Sequence, residues 1–270
     1  MAAFEPSSTM EETRNWSEMP DEIMRMILER LSAVEVLNSA QKVCRNWRMI
    51  CKDPEMWKVI DMHHIRYTNY DIEKLTKQAL HRSGGELIDI TLDSFVTEDL
   101  LDYISRRSSK LKSLRLTNCL RITTFGLIRA LKRLPHLETL HLSGIFSCSE
   151  HIKVVGQICP QLKSFRMKTQ FLECNDAYAI AVANSMPALC HLQLHGITMT
   201  DNGLQAILHG CLRLESLDLH HCFYRNLDAN LVKLCGDRIK DFKRPYFYDK
   251  MLDELCGDNV FSANDHFWLD

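Results

Sequence analysis

Apolar residues recur along most of the chain in one phrase, Leu-x-x-Leu-x-Leu. It starts at Leu87, Leu111, Leu137, Leu162, Leu189 and Leu214, with a degenerate copy at Ile239, in steps of 24, 26, 25, 27, 25 and 25 residues. Alternation inside the phrase predicts a strand: in LKSLRLTNC, Leu114 and Leu116 point one way and Ser113, Arg115 and Thr117 the other. Eight residues after each start comes a second small or apolar position, Phe95, Cys119, Ile145, Gln170, Ile197 and Cys222, of which Gln170 fits poorly. Helical spacing follows in TFGLIRALKRL, HIKVVGQIC and NGLQAILHGC. Thr97 and Thr200 stand where a hydroxyl caps free backbone amides at a helix start. Pro135, Pro160 and Pro187 share one repeat phase, where they are expected to stop the helix and force an extended lead-in. One strand–helix unit cannot bury its own leucines, so stacked parallel units are expected, strands inside and helices outside. A weaker unit of about 30 residues, the atypical kind expected at an array's end, opens at Trp57-x-x-Ile60-x-Met62, with the helix IEKLTKQALHRS behind it.

Ahead of the repeats the pattern changes. Pro20, Ile23, Met24, Ile27, Leu28 and Leu31 form one continuous helical face, with Asp21, Glu22, Arg25, Glu29 and Arg30 opposite. Shorter helices are expected around Val34–Ser39 and Gln41–Cys51. A unit of about 45 residues rarely buries enough surface to stand alone, so its apolar excess argues for a partner or for docking on the repeats.

Composition narrows the classes. Of 270 residues, 46% are hydrophobic and 25% charged, and the net charge is -2, which gives no basic field for nucleic acid or an anionic membrane. No stretch suits a membrane span, and the N-terminus has neither a basic head nor an apolar run, so a nuclear or cytoplasmic protein is expected. The 11 cysteines lack CxxC spacing and are read as reduced, buried hydrophobes. No Ser-His-Asp order, Gly-rich phosphate loop or HExxH occurs, so neither an enzyme nor a cofactor is expected. His191, His195, His220 and His221 gather near Cys222, but structural zinc takes four ligands with local spacing and Cys222 belongs to the inward ladder. A pH-sensitive imidazole patch is the alternative use of these histidines.

The stretch from Thr200 to Cys222 resembles the cysteine-containing leucine-rich repeat. Met19, Pro20, Asp21, Glu22, Ile23, Leu31, Val43, Cys44, Arg45, Trp47, Asp53, Pro54 and Trp57 resemble the F-box motif, with Met19 where Leu is usual. The whole arrangement looks like the plant F-box/LRR-repeat proteins. The resemblance implies an α+β protein (an α/β solenoid): a three-helix F-box, then a short right-handed arc of about six or seven leucine-rich repeats. The expected divisions are a disordered tail over 1–13, the F-box over 14–57, an atypical first repeat over 58–86, repeats over 87–245, and a cap with an acidic tail over 246–270.

The resemblance further implies a non-catalytic adaptor of an SCF-type ubiquitin ligase. Its F-box would dock a Skp1-like linker, and through it a cullin, using Met19, Pro20, Ile23, Ile27, Leu31, Val36 and Trp47. The repeats would hold a protein substrate. The face opposite the ladder presents Thr91, Arg115, His141, Arg166, Gln193, Asp218 and Lys243, with Lys168 and His195 beside it. That face suits an acidic or phosphorylated segment, though a merely solvated polar face has the same composition. Two other readings stay open: a sensor whose substrate pocket needs a small molecule, and a repeat scaffold with no ligase role.

Overall fold

The computed structural model describes residues 19–63, 70–145, 148–169, 176–224 and 228–245. Gln170, the expected tail over 1–13 and the expected cap and acidic tail over 246–270 lie outside these residues. Among the described residues the repeats build one parallel sheet of eight strands. In chain order these are β1 (Val59–Met62), β2 (Asp89–Leu92), β3 (Ser113–Leu116), β4 (Thr139–Ser143), β5 (Ser164–Lys168), β6 (His191–His195), β8 (Ser216–Asp218) and β10 (Asp241–Lys243). The remaining two, β7 (Thr198–Met199) and β9 (Phe223–Tyr224), pair with each other past the ends of β6 and β8. Eight strands exceed the expected six or seven units because both weak copies, at Trp57 and Ile239, complete a strand.

Register explains the sheet. Ile60, Ile90, Leu114, Leu140, Phe165, Leu192 and Leu217 are successive Cα partners, and none is more than 2% exposed. Each side chain is therefore covered by the equivalent one on either side. At ~25 cal/mol per Å² of buried apolar surface, this stack supplies the main favourable term of the fold. Helices α4 (Ile72–Arg82), α5 (Glu98–Arg107), α6 (Thr124–Leu131), α7 (Ser149–Ile158), α8 (Ala177–Ser185), α9 (Asp201–Gly210) and α10 (Ala229–Arg238) connect the strands and pack side by side.

The helix starts are joined between repeats. Thr97 and Thr200 do cap α5 and α9, accepting from the amides of Leu100 and Asn202 at 3.2 Å. A carboxylate from the preceding unit then accepts from the capping residue: Glu98 from the Thr123 amide at 3.0 Å, and Asp176 from the Thr200 amide and hydroxyl at 2.7 and 2.6 Å.

Two local expectations need correcting. Pro135, Pro160 and Pro187 do not open extended lead-ins but occupy the second position of turns, closed by Leu137, Leu162 and Leu189 amides bonding to Leu134, Cys159 and Met186 carbonyls. Proline's fixed φ suits that position, and the unprolinated turns at Ser108–Leu111 and Cys211–Leu214 close the same way. The buried exit residue of the Leu87 repeat is Val96, one position later than expected, with Phe95 only half-buried. Gly196 shows what the exit turn demands. Its φ is +75°, and a Cβ there would meet the Thr169 carbonyl oxygen at 2.3 Å.

The N-terminal helices are α1 (Asp21–Leu28), α2 (Ala33–Asn38) and α3 (Arg45–Ile50). A Ser32–Glu35 capping box starts α2. The expected third helix is split into a single 3-10 turn at Ala40–Lys42 and α3, whose start is capped by the Cys44 thiol. These helices are seated on the first repeat by α2, which packs on β1 and α4, and by Trp57. Trp57 is buried; its indole N–H donates to the Cys51 carbonyl at 2.9 Å. The Arg82 guanidinium, from α4, lies over that ring at 5.3 Å and donates to Cys51 O at 3.0 Å and to Gln41 Oε1 at 2.6 Å.

Trp57→Ala should lower unfolding free energy by ~3–5 kcal/mol through the cavity it leaves. Arg82→Ala should cost on the order of 1–3 kcal/mol by unpairing buried acceptors. Urea titrations measure both, and wild-type stability in either variant would mean that the joint between helices and repeats does not hold them together.

Candidate functional site

Two surfaces present chemistry to a partner. The first is α1 and its neighbours. Asn46 Nδ2 donates to Asp21 at 2.8 Å, and Arg25 pairs with Asp53 at 2.6 Å, so α1 is pinned along its polar side. The Glu55 amide and then Arg25 hold the Asp53 carboxyl below its usual range. The apolar arc is wider than the chain itself uses. Met24 and Leu28 are buried and Ile27 is half-buried, whereas Pro20 is exposed, Ile23 is 45% exposed and Met26 is 58% exposed. Met19, Leu31 and Trp47 are partly buried against the core. Val36 is 3% exposed, packed inside with Val34 and Leu37, so in this structure it supports α2 rather than facing outward. The sequence pattern did not single out Met26 or Met49, both exposed apolar residues, and named Val43, also exposed, as part of the motif but not as a contact. Met26 follows Ile23 by three positions, a signal that was available.

The second surface is the sheet face opposite the ladder. Asp61, Thr91, Arg115, His141, Arg166, Gln193, Asp218 and Lys243 form one unbroken row of Cα partners. Lys168 and His195 are partners in the next row. The row is less basic than its composition suggests. Arg115 is paired with Asp89 at 2.6 Å, and Lys243 with Asp218 at 3.3 Å. His141 is neutral at physiological pH: burial, aided by Arg115 and Arg166, pulls it down to about 4. Arg166 is exposed and makes no ion pair or hydrogen bond among the described residues.

Asp218 organises the C-terminal half of this face. It accepts from Gln193 at 3.1 Å and from the His220 amide at 3.0 Å. Burial pushes its carboxyl up, but the His220 amide and Lys243 outweigh that and hold it below the ordinary range. Gln193 Nε2 also lies 2.7 Å from His195 Nε2. One amide nitrogen thus divides its two hydrogens between a carboxylate and an imidazole, which makes His195 Nε2 the acceptor. Burial lowers the pKa of His195, opposed by Asp218 and reinforced by His221. The His195 ring meets His221, not His220, at a centroid distance of 4.8 Å, edge to face. Cys222 is buried and its thiol donates to the Leu194 carbonyl at 2.8 Å. Among the described residues no group of three or more His, Cys, Asp or Glu is placed to hold a metal ion. Burial raises the thiols of Cys159 and Cys211 to about 11 and that of Cys119 to about 12. Among the described residues no helix is long and apolar enough to cross a membrane.

Residues 16–59 match the F-box domain model. The chain is 45% identical over 245 residues to F-box protein SKIP19 of Arabidopsis thaliana, covering 89% of this chain and 81% of that one. It is 42% identical to the putative F-box/LRR-repeat protein 22 of the same plant, covering 87% of this chain and 78% of the relative. The chain belongs to the F-box/LRR-repeat family. A further Arabidopsis relative, the putative F-box/LRR-repeat protein 23, is 43% identical over 86% of this chain, which spans 54% of that protein's length. Within this F-box/LRR-repeat chain, the match ends at the first residue of β1, where the repeats take over.

The neutral histidines make stability depend on pH. His141 binds its proton at about 4 when folded and near 6.5 when unfolded. The unfolded chain therefore takes up more protons as pH falls through this window, and folded stability drops between about 6.5 and 4. Between pH 7 and pH 5 the loss should be on the order of 1–2 kcal/mol for His141, with His195 acting in the same direction. Urea titrations at the two pH values check this: His141→Gln should flatten the dependence, and an unchanged slope would show that His141 already titrates normally.

Proposed function

We propose that this chain is the substrate-recognition adaptor of an SCF-type (Skp1–cullin–F-box) E3 ubiquitin ligase. The F-box docks a Skp1-like linker, and the linker joins a cullin. The repeats hold a protein substrate for ubiquitination and degradation. The adaptor performs no bond chemistry; it raises the local concentration of substrate lysines near the charged conjugating enzyme.

The observation that carries this reading is the unspent apolar arc of α1. An F-box helix pinned on its polar side, with Ile23 and Met26 still 45% and 58% exposed, keeps apolar surface that its own chain does not cover. Pro20, Ile23 and Met26, with Ile27 at the edge, are the residues we assign to linker contact, and Met19, Leu31 and Trp47 support them from partly buried positions. Val36 contributes by holding α2 in place. Thr91, Arg115, His141, Arg166, Lys168, Gln193, His195 and Asp218 are assigned to the substrate face, where paired charges and neutral imidazoles set specificity more than net charge does.

Capture of purified Skp1-type linker tests the proposal. Ile23→Asp/Met26→Asp changes only exposed positions, so circular dichroism should stay that of the wild type while linker affinity falls at least a hundredfold. Equal capture by a folded double variant would remove α1 from the interface. No capture by the wild type would make the chain a repeat scaffold.

A further inference from the structure

The substrate face has, on β5, an arginine whose charge is not consumed by an ion pair among the described residues, and an apolar rim next to it. On β5, Arg166 is exposed and makes no ion pair among the described residues, while Arg115 and Lys243 in the same row are bound to Asp89 and Asp218. Lys168 stands two residues further along β5 on the same side. Behind burial, Arg166 adds to the effects that keep His141, His195 and His221 in their neutral forms.

The rim begins where β5 ends. Lys168 O accepts from the Gly144 amide at 3.0 Å. Gly144 is left-handed, φ +80°, and Leu120 from the previous repeat lies over it, close enough that a Cβ on Gly144 would meet Leu120 Cδ2 at 2.9 Å. Leu120 is nevertheless 65% exposed. Phe125, at the start of α6, is 78% exposed and rests edge-on against His151 at 6.1 Å. Two large apolar side chains thus face solvent, Leu120 over the turn that the Gly144–Lys168 bond ties to the end of β5 and Phe125 in the first turn of the helix that follows Leu120.

We propose that this surface, resting on the adaptor reading above, recognises an extended substrate segment carrying an aspartate or glutamate for Arg166 and an apolar side chain for the Leu120–Phe125 rim. Carboxylate is the anion because a single guanidinium offers it a bidentate pair, whereas phosphate recognition draws on clusters of arginine. Spacing follows from the sheet. Leu120 lies over Gly144, three residues past His141, the β4 partner of Arg166, so three residues along and one strand across give a separation of ~11 Å, which an extended segment covers in about three or four residues.

Selection from a displayed library of random 12-residue peptides, with the full-length chain as bait, tests this. Recovered peptides should pair Asp or Glu with Leu, Ile, Met or Phe about three or four positions away. Arg166→Glu should weaken them at least tenfold, Phe125→Ser should weaken them several-fold, and Arg213→Glu, an exposed charge elsewhere, should change nothing. All variants should still capture the Skp1-type linker, so loss of peptide binding with retained capture separates this inference from the adaptor role. Recovery of no peptides, of peptides without that pairing, or of peptides insensitive to Arg166→Glu would overturn the proposal. So would a synthetic array in which phosphoserine peptides bind and their glutamate counterparts do not.

Discussion

Every feature of this chain depends on leucines that can be buried only by the unit next door. The inward residue of each strand lies in register with its neighbours, so Leu140 is covered by Leu114 on one side and Phe165 on the other. No unit is stable alone, and the two ends of the stack differ from its middle. At the N-terminal end, α2 and Trp57 close the stack, with Arg82 bonding across the joint. At the other end Phe242 of β10 is only half-buried, where Leu217 beside it is fully buried.

This closure has a mechanical consequence. The F-box covers the first repeat instead of hanging from a linker, so its exposed α1 arc keeps a set direction relative to the sheet face. On the proposed adaptor role this matters, because a linker surface and a substrate surface work together only at a constant separation. The carboxylates that join helix starts between repeats serve the same end. Glu98 and Asp176 each tie one unit's helix to the next unit's cap, limiting the twist between neighbours.

Charge on the sheet face opposite the ladder is largely settled within the face. Asp89 takes up Arg115, Asp218 takes up Lys243 and Gln193, and burial keeps His141 and His195 neutral. A strip that looks basic in composition therefore keeps Arg166 of β5 as its arginine without an ion pair among the described residues. Burial decides this, because desolvation of an imidazole outweighs the attraction of a carboxylate 3.8 Å away.

The sequence by itself determined the repeat, the strand–helix alternation, the helix caps at Thr97 and Thr200, the row from Thr91 to Lys243 and the F-box resemblance. All of these are short-range or periodic patterns, and periodicity survives in a one-dimensional string. The tertiary structure alone decided which members of each pattern are available. Val36 and Ile23 are both apolar and both near the F-box stripe, yet the seating of α2 on β1 and α4 buries one and leaves the other outside. Arg115 and Arg166 hold equivalent positions, but only Arg115 has an aspartate in reach on the adjacent strand. Leu120 and Phe125 read as ordinary loop and helix residues until the left-handed Gly144 turn brings the rim beside β5. Burial and ion pairing belong to neighbours about 25 residues apart in the chain, and only the stacking of the units sets how those neighbours meet.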